Sequence, residues 1–212
     1  ADHVITIYMI GDSTMSNKLL EGNNQERGWG HVLGSFFTED VRVENHAMNG
    51  RSSKSFIDEG RWETAVKNLR PGDYVFIQFG TTFDENLRKF VRETRAKGGI
   101  PVLFNSIVRR NFGVNPDAVA ADDIRPEKDE AVVEGDTLID THGKYLESPR
   151  NVAKEMNVCF IDLNQATKKL VESYGVEGSK KLFMWIPADT YAACPKGRQD
   201  NTHLNIYGAR KV

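Results

Sequence analysis

The sequence has 212 residues, of which 39% are hydrophobic and 27% are charged. This size and balance suit one globular domain with a hydrophobic core and exclude a largely disordered chain. The net charge of -2 leaves no basic field with which to hold nucleic acid nonspecifically. No apolar run approaches the roughly 20 residues that a membrane-spanning helix needs. The two cysteines, Cys159 and Cys194, form neither a disulfide framework nor a zinc-ligand pattern.

Short apolar runs bounded by turn residues predict five strands in chain order. The first covers residues 4–10 and stops at a glycine, which is typical of a buried strand followed by a tight turn. The other four runs are residues 41–43, 74–79, 101–104 and 158–161. Segments with helical spacing lie between them, for example Trp29, Val32, Leu33 and Phe36, then Phe83, Leu87, Phe90 and Val91. The alternation predicts a three-layer α/β/α sandwich around a central parallel sheet of about five strands.

Local signals refine this prediction. Thr82 with Glu85 matches a capping box, and Thr141 followed by Lys144 stands where a second N-cap belongs. Residues 111–140 lose the periodic apolar positions and gain prolines and acidic residues, so we expect a surface insertion that serves as a lid or binding loop. Residues 175–201 are expected to form a second long connection. No repeat or linker is evident, which favours a single domain over residues 1–212.

Polar residues that follow strands are the first candidates for chemistry, because ligands of open parallel sheets bind at the carboxyl ends of the strands. Ser13 follows the first strand on a glycine turn, and Asp200 precedes His203 by three residues. A serine hydroxyl needs an imidazole to take its proton and a carboxylate to orient that imidazole. Separately, Ser13 could simply cap a helix, Asp200 could be a loop aspartate, and His203 an exposed histidine. Together the three residue types favour a catalytic triad.

These motifs resemble the first and last motifs of the SGNH, or GDSL-type, hydrolases. The Gly-Asp-Ser-Thr-Met string at residues 11–15 and the Asp-x-x-His string at residues 200–203 carry the resemblance. Further strings are similar to the rhamnogalacturonan acetylesterase branch of that family. They lie at residues 28–30, 45–52, 60–61 and 72–75. The resemblance covers most of the chain and is poorest in the insertion that follows residues 109–110. It implies the flavodoxin-like SGNH fold.

The resemblance also implies roles for individual residues. Ser13 would be the nucleophile, His203 the general base and then acid, and Asp200 the residue that orients His203. The glycine of the family's second motif falls on Gly50, whose backbone N–H would join that of Ser13 in an oxyanion hole. Without the resemblance, Gly50 would be an ordinary turn residue after the second strand.

One departure from the family pattern lies after the third strand. Family members carry Gly-His-Asn-Asp there, and the asparagine completes the oxyanion hole, whereas this chain continues from Gly80 to Thr81 without that motif. Either one oxyanion donor has been lost, or the natural protein has a further loop between these two residues. The last helix stops at Val212 without a cap or a full apolar face. We therefore expect the missing loop, and a chain that continues beyond Val212.

Three further residues are candidates for substrate binding. Arg109 follows the fourth strand and could pair with a uronic acid carboxylate, although a salt bridge to the acidic insertion is an alternative. His142 lies near the insertion and could reach a sugar, although a surface position is the alternative. Trp185 could stack on a sugar ring, or it could anchor the long loop that precedes Asp200.

The predicted function is a serine esterase that removes acetyl groups from a plant polysaccharide, most simply pectic rhamnogalacturonan, through an acetyl-Ser13 intermediate. No metal or organic cofactor is expected, and neither nucleic acid nor a membrane is an expected partner. Alternatives are an acetylxylan or other small acyl esterase, or a carbohydrate-binding member with weakened catalysis. The resemblance implies a secreted or periplasmic location, and the oligomeric state is left open.

Overall fold

A computed structural model gives the arrangement of residues 4–113, 137–192 and 194–212. The central part of the expected insertion, residues 114–136, lies outside these described residues. In its described flanks, Phe112 and Leu138 are both buried and form an isolated antiparallel bridge, whereas Thr137 and Asp140 are exposed. The insertion itself stays a prediction.

The five predicted strands form one parallel sheet in the order β2-β1-β3-β4-β5. Their bounds are β1 Ile5–Gly11, β2 Val41–Asn45, β3 Tyr74–Gln78, β4 Ile100–Phe104 and β5 Cys159–Ile161. Gly11 at the end of β1 pairs with Gln78 at the end of β3. The turn that carries Ser13 therefore begins at the carboxyl edge of the sheet, next to the end of β3.

Seven helices accompany the sheet in the described part of the chain. They are α1 Trp29–Leu33, α2 Ser53–Asp58, α3 Arg61–Ala65, α4 Asp84–Ala96, α5 Glu147–Met156, α6 Leu163–Gly178 and α7 Ile206–Lys211. Side chains of β1 alternate between two separate cores. Met9 packs in the core that includes residues of α1, α6 and α7, and Ile10 packs in the core that includes residues of α2, α3, α4 and α5. The three-layer α/β sandwich is confirmed.

The second long connection was wrongly predicted, because it contains a β-hairpin. Strand β6 (Phe183–Ile186) pairs antiparallel with β7 (Arg198–Leu204) outside the main sheet. Strand β7 reads Arg-Gln-Asp-Asn-Thr-His-Leu and shows no apolar alternation. The side chains of Arg198, Asp200, Asn201 and His203 are paired with other polar groups rather than packed in a core. Both Asp200 and His203 lie on this strand, not in a loop.

Both predicted threonine caps were wrong. Helix α4 begins at Asp84 after Phe83, without a side-chain cap, and Thr82 is buried. The loop before α4 is tied to α2 instead, because the Ser53 amide donates to the Thr81 carbonyl and the Phe83 amide donates to Ser53 Oγ. Near Thr141, the carboxylate of Asp140 accepts hydrogen bonds from the amides of His142 and Gly143, at the start of the helical turn at residues 143–146. Thr141 accepts a hydrogen bond from Arg109.

No helix in the three described ranges is long and apolar enough to cross a membrane.

Candidate active site

The loop that follows β1 is held by the carboxylate of Asp12. Asp12 Oδ1 accepts hydrogen bonds from the Thr14 amide at 3.0 Å and the Thr14 hydroxyl at 2.8 Å. Its other oxygen accepts the Gly80 amide at 2.6 Å, which ties the loop to the end of β3. The motif aspartate therefore has a structural task, and it leaves the Ser13 side chain to project from a constrained turn.

The three residues of the predicted triad are in hydrogen-bond contact. Ser13 Oγ lies 2.9 Å from His203 Nε2, and His203 Nδ1 lies 2.8 Å from Asp200 Oδ2. An imidazole that donates from Nδ1 to a carboxylate keeps the lone pair of Nε2 for the serine proton. This arrangement can activate the Ser13 hydroxyl as a nucleophile.

Asp200 is a largely buried carboxylate, with 12% of its side chain exposed, and both its oxygens accept two donors. Oδ1 accepts the amides of Thr202 at 2.7 Å and His203 at 2.9 Å, and Oδ2 also accepts from Arg198 Nη2 at 2.5 Å. Burial by itself raises the pKa of Asp200, but the hydrogen bond and charge of His203 and the charge of Arg198 outweigh it. The pKa of Asp200 therefore lies well below its usual range, and the residue stays ionised as the partner of His203.

Arg198 is the first member of a buried chain of charges that sequence reasoning missed. Arg198 Nη1 contacts Glu26 Oε1 at 2.7 Å, and Glu26 Oε2 contacts Lys18 Nζ at 3.0 Å. Burial by itself raises the pKa of Glu26, but the charges of His203, Lys18 and Arg198 lower it by more than burial raises it. The pKa of Glu26 is therefore lower than its ordinary value. Residues 18, 26 and 198 are remote in sequence and belong to no common motif. Only the folded chain brings them together.

The Gly-Trp-Gly string at residues 28–30 is hydrogen-bonded to the backbone of residues 14–16, which follow Ser13. The amides of Gly28, Trp29 and Gly30 donate to the carbonyls of Ser16, Thr14 and Met15 at 3.1, 2.9 and 3.1 Å. A Cβ on Gly28 would lie 2.3 Å from the Met15 carbonyl carbon, so no larger residue fits this backbone contact. Trp29 Nε1 donates to Gln78 Oε1, which also accepts from Thr14 Oγ1. The string is thus part of the site's framework.

Gly50 lies on the turn after β2 with a φ of +73°, a conformation that favours glycine. Neither its amide nor that of Ser13 donates a hydrogen bond to any residue of the described chain. An unpaired amide near a nucleophile is able to donate to an oxyanion, but Gly50 is not among the residues that line the cavity at Ser13. The assignment of Gly50 to an oxyanion hole stays a prediction.

A small cavity of about 60 Å³ adjoins Ser13. Its lining residues are Asp12, Ser13, Thr14, Gly80, Ser106, Ile107, Arg109, His142 and Thr202. Two of the three predicted substrate-binding residues, Arg109 and His142, are thus brought to the Ser13 hydroxyl. No asparagine lines this cavity among the described residues, since the chain runs from Gly80 into α4 without the family's motif. A loop between Gly80 and Thr81 in the natural protein stays a hypothesis.

Trp185, the third predicted substrate-binding residue, does not line the Ser13 cavity. Its indole Nε1 donates to Asn201 Oδ1 at 2.9 Å, and the charged groups of Arg110 and Lys180 lie 5.0 and 4.7 Å from its ring centroid. It borders a separate groove of about 540 Å³ with Tyr191. Its anchoring contacts match the alternative that was left open, namely that Trp185 fixes the segment before Asp200.

No cluster of three or more metal-ligating side chains occurs within residues 4–113, 137–192 and 194–212.

The chain is similar to several known proteins. The sequence profile of the family described as GDSL-like Lipase/Acylhydrolase matches residues 7–212. Rhamnogalacturonan acetylesterase RhgT of Bacillus subtilis (strain 168) is 35% identical over 220 aligned residues, which cover 98% of this chain and 86% of RhgT. The probable rhamnogalacturonan acetylesterase YesY of the same organism is 27% identical, with coverage of 97% and 88%. The crystal structure of YxiM from Bacillus subtilis has a TM-score of 0.73 at 25% identity and covers 97% of this chain. This chain spans 52% of YxiM.

Proposed function

The chain belongs to the GDSL-like lipase/acylhydrolase family and is an esterase, and from that premise we propose that Ser13 is its nucleophile. His203 is the general base and acid, and Asp200 orients His203. The observation that carries this proposal is the unbroken hydrogen-bond chain from Ser13 Oγ through His203 to Asp200, at 2.9 and 2.8 Å. The three residue types and their order of contact are those of a serine hydrolase triad.

In the proposed reaction, Ser13 Oγ attacks the carbonyl carbon of an acetyl ester while His203 Nε2 takes its proton. The tetrahedral intermediate collapses, and the sugar oxygen leaves with the proton that His203 returns. Water then attacks the acetyl-Ser13 ester with His203 again as base, which releases acetate and restores Ser13. The amides of Ser13 and Gly50 are proposed to donate to the oxyanion, and each such donor is worth about 10²–10³ in rate.

The size and polarity of the Ser13 cavity favour a short acyl group. A volume of about 60 Å³ is only several times the roughly 10–15 Å³ that one water requires. Arg109, His142 and Thr202 give the cavity a polar lining, which disfavours a long hydrocarbon chain. We therefore propose acetyl as the group transferred to Ser13.

The proposed substrate is acetylated rhamnogalacturonan, a pectic polysaccharide. The proposal is supported by the similarity to the rhamnogalacturonan acetylesterase RhgT, which is 35% identical over 98% of this chain. Arg109, at the edge of the cavity, is proposed to pair with a uronic acid carboxylate of the substrate, and His142 to contact a sugar hydroxyl. Because polysaccharides of plant walls lie outside the cell that degrades them, we also propose that the protein acts in the periplasm or after secretion.

Release of acetate from acetylated rhamnogalacturonan, acetylated xylan and p-nitrophenyl octanoate tests these assignments. We expect kcat/KM to be highest for rhamnogalacturonan, and Ser13→Ala to lower acetate release by at least about 10⁴-fold without changing the melting temperature by more than a few degrees. A preference for xylan would assign the enzyme to another polysaccharide. Near-full activity of Ser13→Ala would reject the nucleophile, and binding without acetate release would indicate a carbohydrate-binding protein.

A further inference from the structure

We propose that Lys18, Glu26 and Arg198 are positioning residues that couple the two oxyanion-donor loops to the carboxylate of the triad. The inference rests on the proposed function, because it concerns the same reaction at Ser13. The three side chains form a continuous chain of charge contacts from Lys18 through Glu26 and Arg198 to Asp200, with separations of 3.0, 2.7 and 2.5 Å. None of the three lines the Ser13 cavity, so they act through other residues rather than on the substrate.

Lys18 holds both loops that carry the proposed oxyanion donors. Its ammonium lies 2.6 Å from the Ser13 carbonyl oxygen and 2.6 Å from Asn49 Oδ1, and Asn49 immediately precedes Gly50. Its side chain is only 3% exposed, so these charge-assisted hydrogen bonds form in a medium of low dielectric constant. A change at Lys18 therefore removes one tie to each of the two loops, while Ser16 Oγ still donates to Asn49 Oδ1 at 2.7 Å.

Arg198 fixes the other end of the chain. It donates to Asp200 Oδ2, the same oxygen that receives the hydrogen bond of His203 Nδ1. Glu26 joins this end to Lys18 because each of its carboxylate oxygens binds a different cation, Oε1 to Arg198 and Oε2 to Lys18. The contacts of His203 with Ser13 and of Lys18 with Ser13 close the chain into a ring. Movement of any member shifts the oxyanion loops relative to the base.

An ordinary buried ion-pair network would also stabilise the fold, so the test must separate position from stability. A structural network changes the melting temperature, whereas a positioning network changes kcat, since a displacement of about 1 Å at a catalytic group can cost about 10²-fold in rate. Moreover, residues that act as one unit give non-multiplicative effects when they are changed together.

The experiment measures kcat and KM for p-nitrophenyl acetate in Lys18→Met, Arg198→Met, the double variant and the near-isosteric Glu26→Gln. We expect Lys18→Met to lower kcat about 100-fold with KM within about threefold of wild type. The kcat of the double variant should be no lower than the kcat of the less active single variant. Glu26→Gln keeps the shape of the side chain and should lower kcat about tenfold, and it carries the test if Lys18→Met does not fold.

Asp73→Asn is the matched control for loss of stability at a buried charge. Asp73 is fully buried, accepts the amides of Thr6 and Arg70 at 3.0 Å each, and precedes β3 at the edge of the sheet opposite to Ser13. The Asp73→Asn variant should have a lower melting temperature than the wild type and an unchanged kcat. Normal kcat in Lys18→Met and Glu26→Gln, or multiplicative losses in the double variant, would overturn the inference while leaving the proposed function intact. An inactive wild type would reject the proposed function itself.

Discussion

The two halves of the site differ in how their polar groups are paired. The proton-transfer half, made of the Ser13 hydroxyl, His203 and Asp200, has all its hydrogen bonds within the protein. The substrate-facing half, made of the Ser13 and Gly50 amides and the cavity residues, offers amide donors that contact no acceptor in the described chain. In the proposed mechanism, the groups that transfer the proton are thus in contact before substrate arrives, whereas oxyanion stabilisation awaits a charge that appears only in the reaction.

This difference teaches where a substitution acts. Changes in the proton-transfer half remove a contact that already exists, so their effect on rate varies with how strongly the leaving oxygen needs the proton of His203. Changes in the substrate-facing half remove a contact that forms in the transition state, and their effect varies with the leaving group and the sugar. The following predictions test that division.

The largest effect is expected from Asp200→Asn. Asparagine has one acceptor oxygen where Asp200 uses two, so its NH2 group must face either the amides of Thr202 and His203 or the side chains of His203 and Arg198. When the NH2 group faces His203 Nδ1, His203 loses the tautomer that serves Ser13. We expect kcat to fall on the order of 10⁴-fold, as for the same change in the serine protease triad. The fall in kcat/KM should be larger for acetylated rhamnogalacturonan, whose sugar oxygen needs the proton of His203 to leave, than for p-nitrophenyl acetate, whose phenolate leaves without a proton. Equal losses on the two substrates in steady-state assays would show that His203 does not protonate the leaving oxygen.

An intermediate effect is expected from Gly50→Ala. The φ of +73° is strained for alanine, although a Cβ there meets no atom within 4 Å. Relaxation of this strain rotates the Gly50 amide away from the oxyanion, and we expect kcat to fall on the order of 10- to 100-fold. The matched control is Gly175→Ala, which has a φ of +72° and equally open space in α6. Equal kcat values for the two variants would exclude Gly50 from the oxyanion hole.

The smallest effect concerns acid stability. Because the pKa of Asp200 is lower in the folded protein than its unfolded value of about 3.9, its ionised form contributes stability that is present above about pH 4. That contribution is lost as the pH falls through the folded-state pKa. We expect the free energy of unfolding to fall by up to about 1.4 kcal/mol per pH unit from this one group.

Urea unfolding between about pH 2.5 and pH 6 measures this slope. Asp200→Asn should give a shallower dependence below about pH 4 than the wild type, because the variant has no carboxylate to protonate. Identical slopes for the two proteins would show that the carboxylate does not titrate at a lower pH in the folded state. The pairing of the proton-transfer half would then be looser than its contacts imply.

The strands and the triad could be predicted from the sequence because their signals are local. Buried parallel strands such as β3 are continuous apolar runs, and Ser13 and His203 each lie in a short recognisable string. Strand β7 was missed because its polar residues serve the site instead of a core. Thr82 was wrongly predicted to be a cap because the contacts of its neighbours Thr81 and Phe83 with Ser53 override the local capping pattern.

The positioning network could not be predicted, for a different reason. Lys18 and Glu26 resemble ordinary loop charges, and nothing near them in sequence distinguishes a buried ammonium from a solvated one. Their burial depends on Arg198, which lies 172 residues beyond Glu26. Charged residues are buried only when paired, and the pairing is decided by the topology of the chain rather than by any one segment.

The contact between Ser13 and His203 joins residues that are 190 positions apart in sequence. Contacts between such distant residues close a long loop and form late in folding. During synthesis, the Ser13 turn is made early, whereas β7 leaves the ribosome long afterwards. In the proposed mechanism, Ser13 of a growing chain therefore lacks its base until β7 docks, so the chain cannot hydrolyse esters before β7 has been made. Ester hydrolysis in a refolding mixture should accordingly report the completion of folding rather than its onset.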